Sequence, residues 1–218
     1  VRDNCDISKN IKIGIGSGTT VAYGFKEVAR FKNLDVVPTS NETKRALQKR
    51  GVKLVDLDSD GYIKVDIDGA DEVDPNLNLI KGGGGCHLRE KRVASQSEKF
   101  IVVVDESKLV EYLGQDHPVP LEVKQGKIDQ LMERLKDIGS PSIRKQDDDY
   151  YWTDNGNPII DIWLEAMFRT SKELSELENK LNEIDGVIEN GIFAKRSADI
   201  VFVGKDEGVD ILKRNDDE

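Results

Sequence analysis

The reactive side chains of this sequence concentrate in residues 68–91. Asp68-Gly69-Ala70-Asp71-Glu72 comes first, Lys81-Gly82-Gly83-Gly84-Gly85 follows, and Arg89-Glu90-Lys91 closes the stretch. Removing a proton beside a carbonyl needs an ionised base, a cation or amide donors for the oxygen that becomes negative, and groups to hold hydroxyls. All are present here, which marks an isomerase-type site. Four consecutive glycines at a strand end lose backbone entropy on folding, a loss that makes sense where the main chain approaches something closely. With a helix starting near His87, Glu90 falls in its first turn, where the dipole favours the ionised carboxylate. Glu90 is therefore the candidate base, although a charge that only complements the dipole would look the same.

Gly14-Ile15-Gly16-Ser17-Gly18-Thr19-Thr20 lies after an apolar strand and before a helix. Free amides at such a helix start, with three hydroxyls, suit a phosphate monoester, and a tight hydroxyl-capped turn is the simpler alternative. The dinucleotide fingerprint fails because its third glycine falls on Thr19, and no Walker lysine follows. Thr39-Ser40-Asn41-Glu42-Thr43 is explained by an ordinary N-cap. Asp56-Leu57-Asp58-Ser59-Asp60-Gly61 opens like a calcium loop but has Ile67 where the bidentate Glu belongs, so a polar connection turning at Asp60-Gly61 is expected. Asp66, Asp68, Asp71, Glu72 and Asp74 are acidic enough for a hard cation, yet Lys81 follows closely and the two histidines, His87 and His117, have no paired ligand spacing. A metal site is therefore the lesser reading of these acids. Lys108, after Asp105-Glu106-Ser107, reads from spacing alone as an ordinary surface lysine.

The elements that must position these groups change character along the chain. Up to about Lys108, short apolar runs at Ile11–Ile15, Leu34–Val37, Lys53–Leu57, Tyr62–Ile67, Leu77–Ile80 and Phe100–Val104 predict strands. Helical patterns at Val21–Phe31, Glu42–Arg50 and Leu88–Ser97 lie between them, the signature of an open α/β sheet. From about Val119 the spacing of Ile128, Leu131, Met132, Leu135 and Ile138, and of Leu174, Leu177, Leu181 and Ile184, predicts two helices. Strands are expected around them at Val119–Val123, Tyr150–Thr153, Pro158–Leu164 and Val187–Phe193, with Asp154-Asn155-Gly156-Asn157 closing a hairpin. The run Asp199–Val203 is expected to return to the first sheet. The fold class is thus α/β: a Rossmann-like open-sheet domain (1–118 plus 195–218) and a smaller α+β domain of split βαβ, ferredoxin-like type (119–194).

With 218 residues and a net charge of −10, the chain can bury a substantial core but is a poor partner for nucleic acid. Two cysteines, Cys5 and Cys86, make no disulfide framework, and no secretory or membrane-spanning run occurs. A cytoplasmic protein with reduced thiols is expected. The acidic end Asp216-Asp217-Glu218 reads as a frayed terminus.

Over nearly its whole length the chain resembles ribose-5-phosphate isomerases of the A type. The resemblance is carried by the glycine-hydroxyl loop at 14–20, Thr39-Ser40, the stretch 68–72, Lys81 to Gly84 with Arg89-Glu90-Lys91, Asp105 with Ser107-Lys108, the turn at 154–157, and Gly191-Ile192-Phe193-Ala194 before Ala198-Asp199. It implies that Glu90 moves a proton between C1 and C2 of the open-chain sugar phosphate through a cis-enediol(ate). Lys81 and the amides of Gly82, Gly83 and Gly84 would steady the oxyanion. Asp68 and Asp71, with Gly69 and Ala70 between them, would hold hydroxyls and help ring opening. Ser17, Gly18, Thr19 and Thr20 would cradle the phosphate, and Lys108 would line the site. The family implies a homodimer or homotetramer without cofactor. Its loop more often has Thr at position 17 and Ser at 19, an exchange that keeps both hydroxyls. It also begins with a longer helix carrying a phosphate-side lysine, so the short lead-in before Ile11 points to weaker phosphate binding.

Two other classes compete. A sugar-phosphate-binding regulatory domain would need neither Glu90 nor Lys81 and would usually carry a DNA-binding segment, of which there is no sign before Ile11. A CoA transferase-like enzyme would use a glutamate as nucleophile, leaving Asp68 and Asp71 without a task.

Overall fold

The computed structural model describes residues 11–59 and 61–214. Along the first part of the chain lie β1 (Ile11–Ile15), α1 (Thr19–Ala22), α2 (Phe25–Val28), β2 (Leu34–Pro38), α3 (Asn41–Gln48), β3 (Ile63–Asp68), β4 (Glu72–Val73), β5 (Leu79–Ile80), α4 (His87–Ser95) and β6 (Ser97–Asp105). Then come β7 (Val119–Val123), α5 (Ile128–Arg134), β8 (Gly139–Ile143), β9 (Lys145–Gln146), β10 (Asp149–Tyr150), β11 (Ile159–Leu164), α6 (Ser171–Asn182), β12 (Val187–Asn190), β13 (Ile192–Phe193), β14 (Ile200–Gly204) and β15 (Val209–Lys213). The result is a mixed α/β fold around a parallel sheet.

That sheet runs β15-β14-β6-β3-β1-β2, with β15 antiparallel at one edge and the other pairings parallel. Strand β14 does return to it, along β6. Apolar residues pack on its two faces. Val102, Val104, Val201 and Val203 meet Phe193 and Leu79 in one cluster, while Ile13, Ile15 and Val36 meet Phe25 and Leu47 in another. A second, fully antiparallel sheet runs β12-β7-β11-β8 and packs its buried face on α5 and α6 through Leu121, Ile160, Ile162, Leu131, Leu174 and Leu181. Helix α6 starts with a capping box, in which Thr170 and Glu173 satisfy each other's backbone amides.

Several expectations need correction. Lys53–Leu57 is not a strand; it makes one bridge, Leu54 to Val36, before its carbonyls turn away. Lys12, a buried residue of β1, donates to the carbonyls of Leu57 at 2.7 Å, Ser59 at 2.9 Å and Gly61 at 3.3 Å. This acidic loop therefore wraps an ammonium from this chain; Asp60 lies outside the described residues. The helix expected over Val21–Phe31 breaks into α1 and α2 at Tyr23-Gly24. Val187–Phe193 divides between two sheets, because β13 leaves the small sheet to pair with β5. Of the strand expected at Tyr150–Thr153 only Tyr150, the end of β10, joins a ladder, and Trp152 bridges Pro158 across the predicted turn. Strands β4, β8, β9 and β15 were not foreseen. Cys5, the lead-in before Ile11 and the acidic terminus lie outside the described residues.

Glu72 shows how the acidic stretch serves the fold. Fully buried, it accepts the backbone amides of Gly114 (2.6 Å), Asp116 (2.6 Å) and His117 (2.7 Å), so one carboxylate holds the loop leading into β7. Bonds to a charged acceptor are the stronger kind, and orphaned amides add a desolvation penalty. Glu72→Ala is expected to lose about 3 kcal/mol of unfolding free energy, read as a lower urea midpoint with unchanged slope.

Candidate functional site

Helix geometry turns each residue by about 100°, so Arg89, Glu90 and Lys91 leave α4 in three directions. Arg89 reaches the turn at 154–157, donating to the Asn155 side chain at 2.8 Å and the Asp154 carbonyl at 3.0 Å. Lys91 reaches the small sheet and α6, at 2.9 Å from Glu189 and 3.0 Å from Glu178. Glu90 points between them, toward Lys81. The helix is thereby pinned on both flanks while its middle residue faces the cavity.

Lys81 leaves the end of β5 and is only 3% exposed. Its ammonium donates to the Gly69 carbonyl at 2.6 Å and lies 3.0 Å from Asp68 Oδ2 and 3.2 Å from Glu90 Oε2. The geometry to the carbonyl is that of a good hydrogen bond; the two carboxylates are held mainly by charge. Behind them Asp66, also buried, has neither oxygen hydrogen-bonded. One cation cannot offset three carboxylates away from water. Burial accordingly pushes Glu90 up to about 8, with the charge of Asp68 adding to the rise and Lys81 opposing it. Asp66 is raised well above its ordinary value by burial and by Asp68. Burial raises Asp68 as well, against the pull of Lys81 and two amides. The helix dipole expected to keep Glu90 ionised is thus outweighed by desolvation.

Asp68 is also a brace. Its Oδ1 accepts the amides of Gly69 at 2.7 Å and Ser17 at 3.1 Å, tying the end of β3 to the hydroxyl-rich loop after β1. Only glycine fits at position 16, where a Cβ would lie 1.8 Å from the same oxygen. The Ser17 hydroxyl pairs with Thr39 at 3.0 Å, and Thr43 donates to the Gly16 carbonyl at 2.9 Å. Thr39-Ser40 therefore supports that loop from behind, with Ser40 capping α3 as an ordinary N-cap residue.

The glycine run bends at Gly82, whose φ of 104° and packing against His87 exclude a side chain. Burial first, and Lys91 next, lower His87 to about 3, so it is a neutral packing group. Asp71 accepts the Gly83 amide at 2.7 Å.

The two loops and the cluster enclose a cavity of about 190 Å³. Its wall comprises Ser17, Gly18, Thr19, Thr20, Gly69, Ala70, Asp71, Lys81, Gly82, Gly83, Gly84, Glu90 and Lys108, with Val103 and Val104. Of the residues expected to meet a ligand, Asp68 alone lies behind the wall. A larger hollow, between α3 and the far side of α4, contains none of the buried charges. Among the described residues no group of three or more His, Cys, Asp or Glu is arranged to hold a metal ion. Asp74 instead accepts the Asn76 and Asn78 amides. Sequence reasoning passed over Glu122 and Arg144. Fully buried Glu122 binds the side chains of Thr153, Asn155 and Asn157. Arg144 grips Asp161 and two carbonyls of the glycine run. Neither carries a local signal, since each meets its partners only across long sequence separations.

Residues 35–208 match the family model described as ribose 5-phosphate isomerase A (phosphoriboisomerase A). A relative of that name from Methanococcus aeolicus is 42% identical, the match covering 95% of this chain and 90% of the relative. Another, from Methanothermobacter thermautotrophicus, is 43% identical over 92% and 89%. The structure of ribose 5-phosphate isomerase A from Methanocaldococcus jannaschii superposes with a TM-score of 0.86 at 38% identity, covering 95% of this chain and 92% of that one. A D-ribose-5-phosphate isomerase in complex with phospho-erythronic acid gives 0.89 at 41% identity, covering 96% and 93%.

A proton on Glu90 at neutral pH has a direct readout. Carboxyl-labelled glutamate followed by ¹³C NMR is expected to show one resonance titrating near pH 8, absent in Glu90→Gln; titration of every glutamate in the ordinary range would contradict the buried-cluster account.

Proposed function

This chain belongs to the ribose 5-phosphate isomerase A family, and from that membership we propose that it interconverts D-ribose 5-phosphate and D-ribulose 5-phosphate with Glu90 as the base. The observation that carries the assignment is a buried carboxylate, 3.2 Å from a buried ammonium, on the wall of a cavity that a loop of hydroxyls and amides also lines. Ser17, Gly18, Thr19 and Thr20 hold the phosphate, with Lys108 adding positive charge. Glu90 takes the proton from C2 of the open-chain aldose. As the C2–H electrons form the C1–C2 double bond, the carbonyl electrons settle on O1 as the cis-enediolate. The same proton returns to C1, while the hydroxyl proton of O2 passes to O1 and leaves the ketose carbonyl at C2.

Lys81 and the glycine amides steady the oxygen as it becomes negative, in a pocket where little water competes. Asp71, on the wall, holds sugar hydroxyls and assists ring opening. Asp68 supports the reaction from behind, by keeping Lys81 charged and the phosphate loop in place. A base raised to about 8 is a stronger proton acceptor than an ordinary glutamate, though less of it is ionised at neutral pH. No step calls on a metal or an organic cofactor.

The same reading divides the chain into a Rossmann-like catalytic domain, 1–118 plus 195–218, and a ferredoxin-like domain, 119–194. In support, the four strands of the sheet β12-β7-β11-β8 fall within the second span and alternate with α5 and α6 in the order βαββαβ. It also includes a homodimer or homotetramer in the cytoplasm. No described helix is long and apolar enough to cross a membrane.

Incubation with ribose 5-phosphate should yield ribulose 5-phosphate, with undiminished rate after exhaustive chelation. Glu90→Gln should lower turnover by ~10²-fold or more while the protein stays folded; wild-type-like activity in that variant would remove Glu90 from its role. Because Glu90 is protonated below its pKa of about 8, kcat/KM should rise roughly tenfold per pH unit between pH 6 and 7 and level off above 8. Lys81→Ala should raise the barrier by roughly 3 kcal/mol, with a smaller change in KM.

A further inference from the structure

Between β8 and β9, Arg144 crosses from the small sheet to the glycine run. Its guanidinium binds Asp161 through Nε (2.8 Å) and Nη2 (2.5 Å), leaving Nη1 to donate to the carbonyls of Gly82 at 2.8 Å and Gly83 at 2.9 Å. Tyr151, with the Arg144 guanidinium 5.7 Å from its ring centroid, donates its hydroxyl to the next carbonyl, of Gly84, at 2.9 Å. Three successive carbonyls of a segment with no side chains are therefore held on one side. A trans peptide sends the N–H opposite to its C=O. Fixing the Gly82 and Gly83 carbonyls therefore aims the Gly83 and Gly84 amides the other way. For Gly83 the direction is visible: its N–H meets Asp71 on the cavity wall.

We propose that Arg144, held by Asp161, is a positioning residue that orients and polarises the Gly82–Gly83 and Gly83–Gly84 peptides, so that the Gly83 amide holds Asp71 and the Gly84 amide faces the oxygen becoming negative in the isomerisation. This deepens the isomerase reading and rests on it. A cation on a carbonyl oxygen draws electron density from the peptide nitrogen, making its N–H a better donor. Glycine lets the main chain come close to the substrate but leaves its peptide planes weakly held; within the run only the Gly82 carbonyl is fixed, by the Gly85 amide at 2.9 Å. The guanidinium supplies that rigidity from another sheet, and its fork matches Asp161 and the carbonyls at once, which an ammonium cannot do.

The test compares wild type with Arg144→Lys, Arg144→Ala and Tyr151→Phe. Arg144→Lys should lower kcat about 10-fold and Arg144→Ala about 10²-fold, with KM within roughly threefold of wild type. Affinity for phospho-erythronic acid should fall in parallel with kcat, added guanidinium should restore part of the Arg144→Ala rate, and Tyr151→Phe should change kcat less than Arg144→Lys. In ¹⁵N-labelled protein, the Gly83 and Gly84 amide protons should move upfield in Arg144→Lys, a readout that needs no turnover. Unchanged kcat in Arg144→Lys, unchanged amide shifts, or a loss confined to KM would overturn the proposal. If Arg144→Ala does not fold, Arg144→Lys decides alone. A wild type without isomerase activity would instead remove the function on which the proposal rests.

Discussion

The site depends on one ammonium placed where water does not reach. Lys81 lies between Asp68 and Glu90, with Asp66 close behind, and all four are buried. Charges in such a place persist only as far as they offset one another. Burial first, and then the excess of three carboxylates over a single cation, favours the protonated forms, which is why Asp66 and Glu90 are raised. The base of the proposed reaction thus owes its strength first to its withdrawal from water and then to a shortage of positive charge.

That arrangement needs a rigid frame, and three elements provide it. Strand β3 delivers Asp68 to the hydroxyl-rich loop after β1, β5 delivers Lys81, and α4 delivers Glu90. Helix α4 is fixed by its flanks: Arg89 binds the turn at 154–157 and Lys91 binds Glu178 and Glu189. The small sheet is therefore part of the site's frame. Through Glu122 it shapes the turn that Arg89 grips, and through Arg144 it holds the glycine run.

Much of this was legible in residue order. Apolar runs ending in glycine or acid located β1, β2, β3 and β6, and helical spacing located α3, α4 and α6, because each reflects a local period. Elements defined by their neighbours were missed or misdrawn. Gly139–Ile143 contains Pro141 and lacks an apolar alternation, and it becomes a strand only by pairing with β11. Lys53–Leu57 has the composition of a strand but finds a ladder partner only at Leu54, before its end bends round Lys12.

The sequence alone determined the chemical inventory: a glutamate in the first turn of a helix, a lysine before a glycine run, a hydroxyl loop after a strand, and acids at strand ends. Spacing was enough because each motif folds on its own stretch of chain. Tertiary structure decided what each group does. It set Asp68 behind the cavity wall and Asp71 on it, and withdrew Glu90 from water far enough to outweigh the helix dipole. It also brought Arg144 and Glu122 to loops 61 and 31 residues away. Burial and long-range contact belong to the packed chain, and desolvation, which controls the protons here, does not exist until packing is complete.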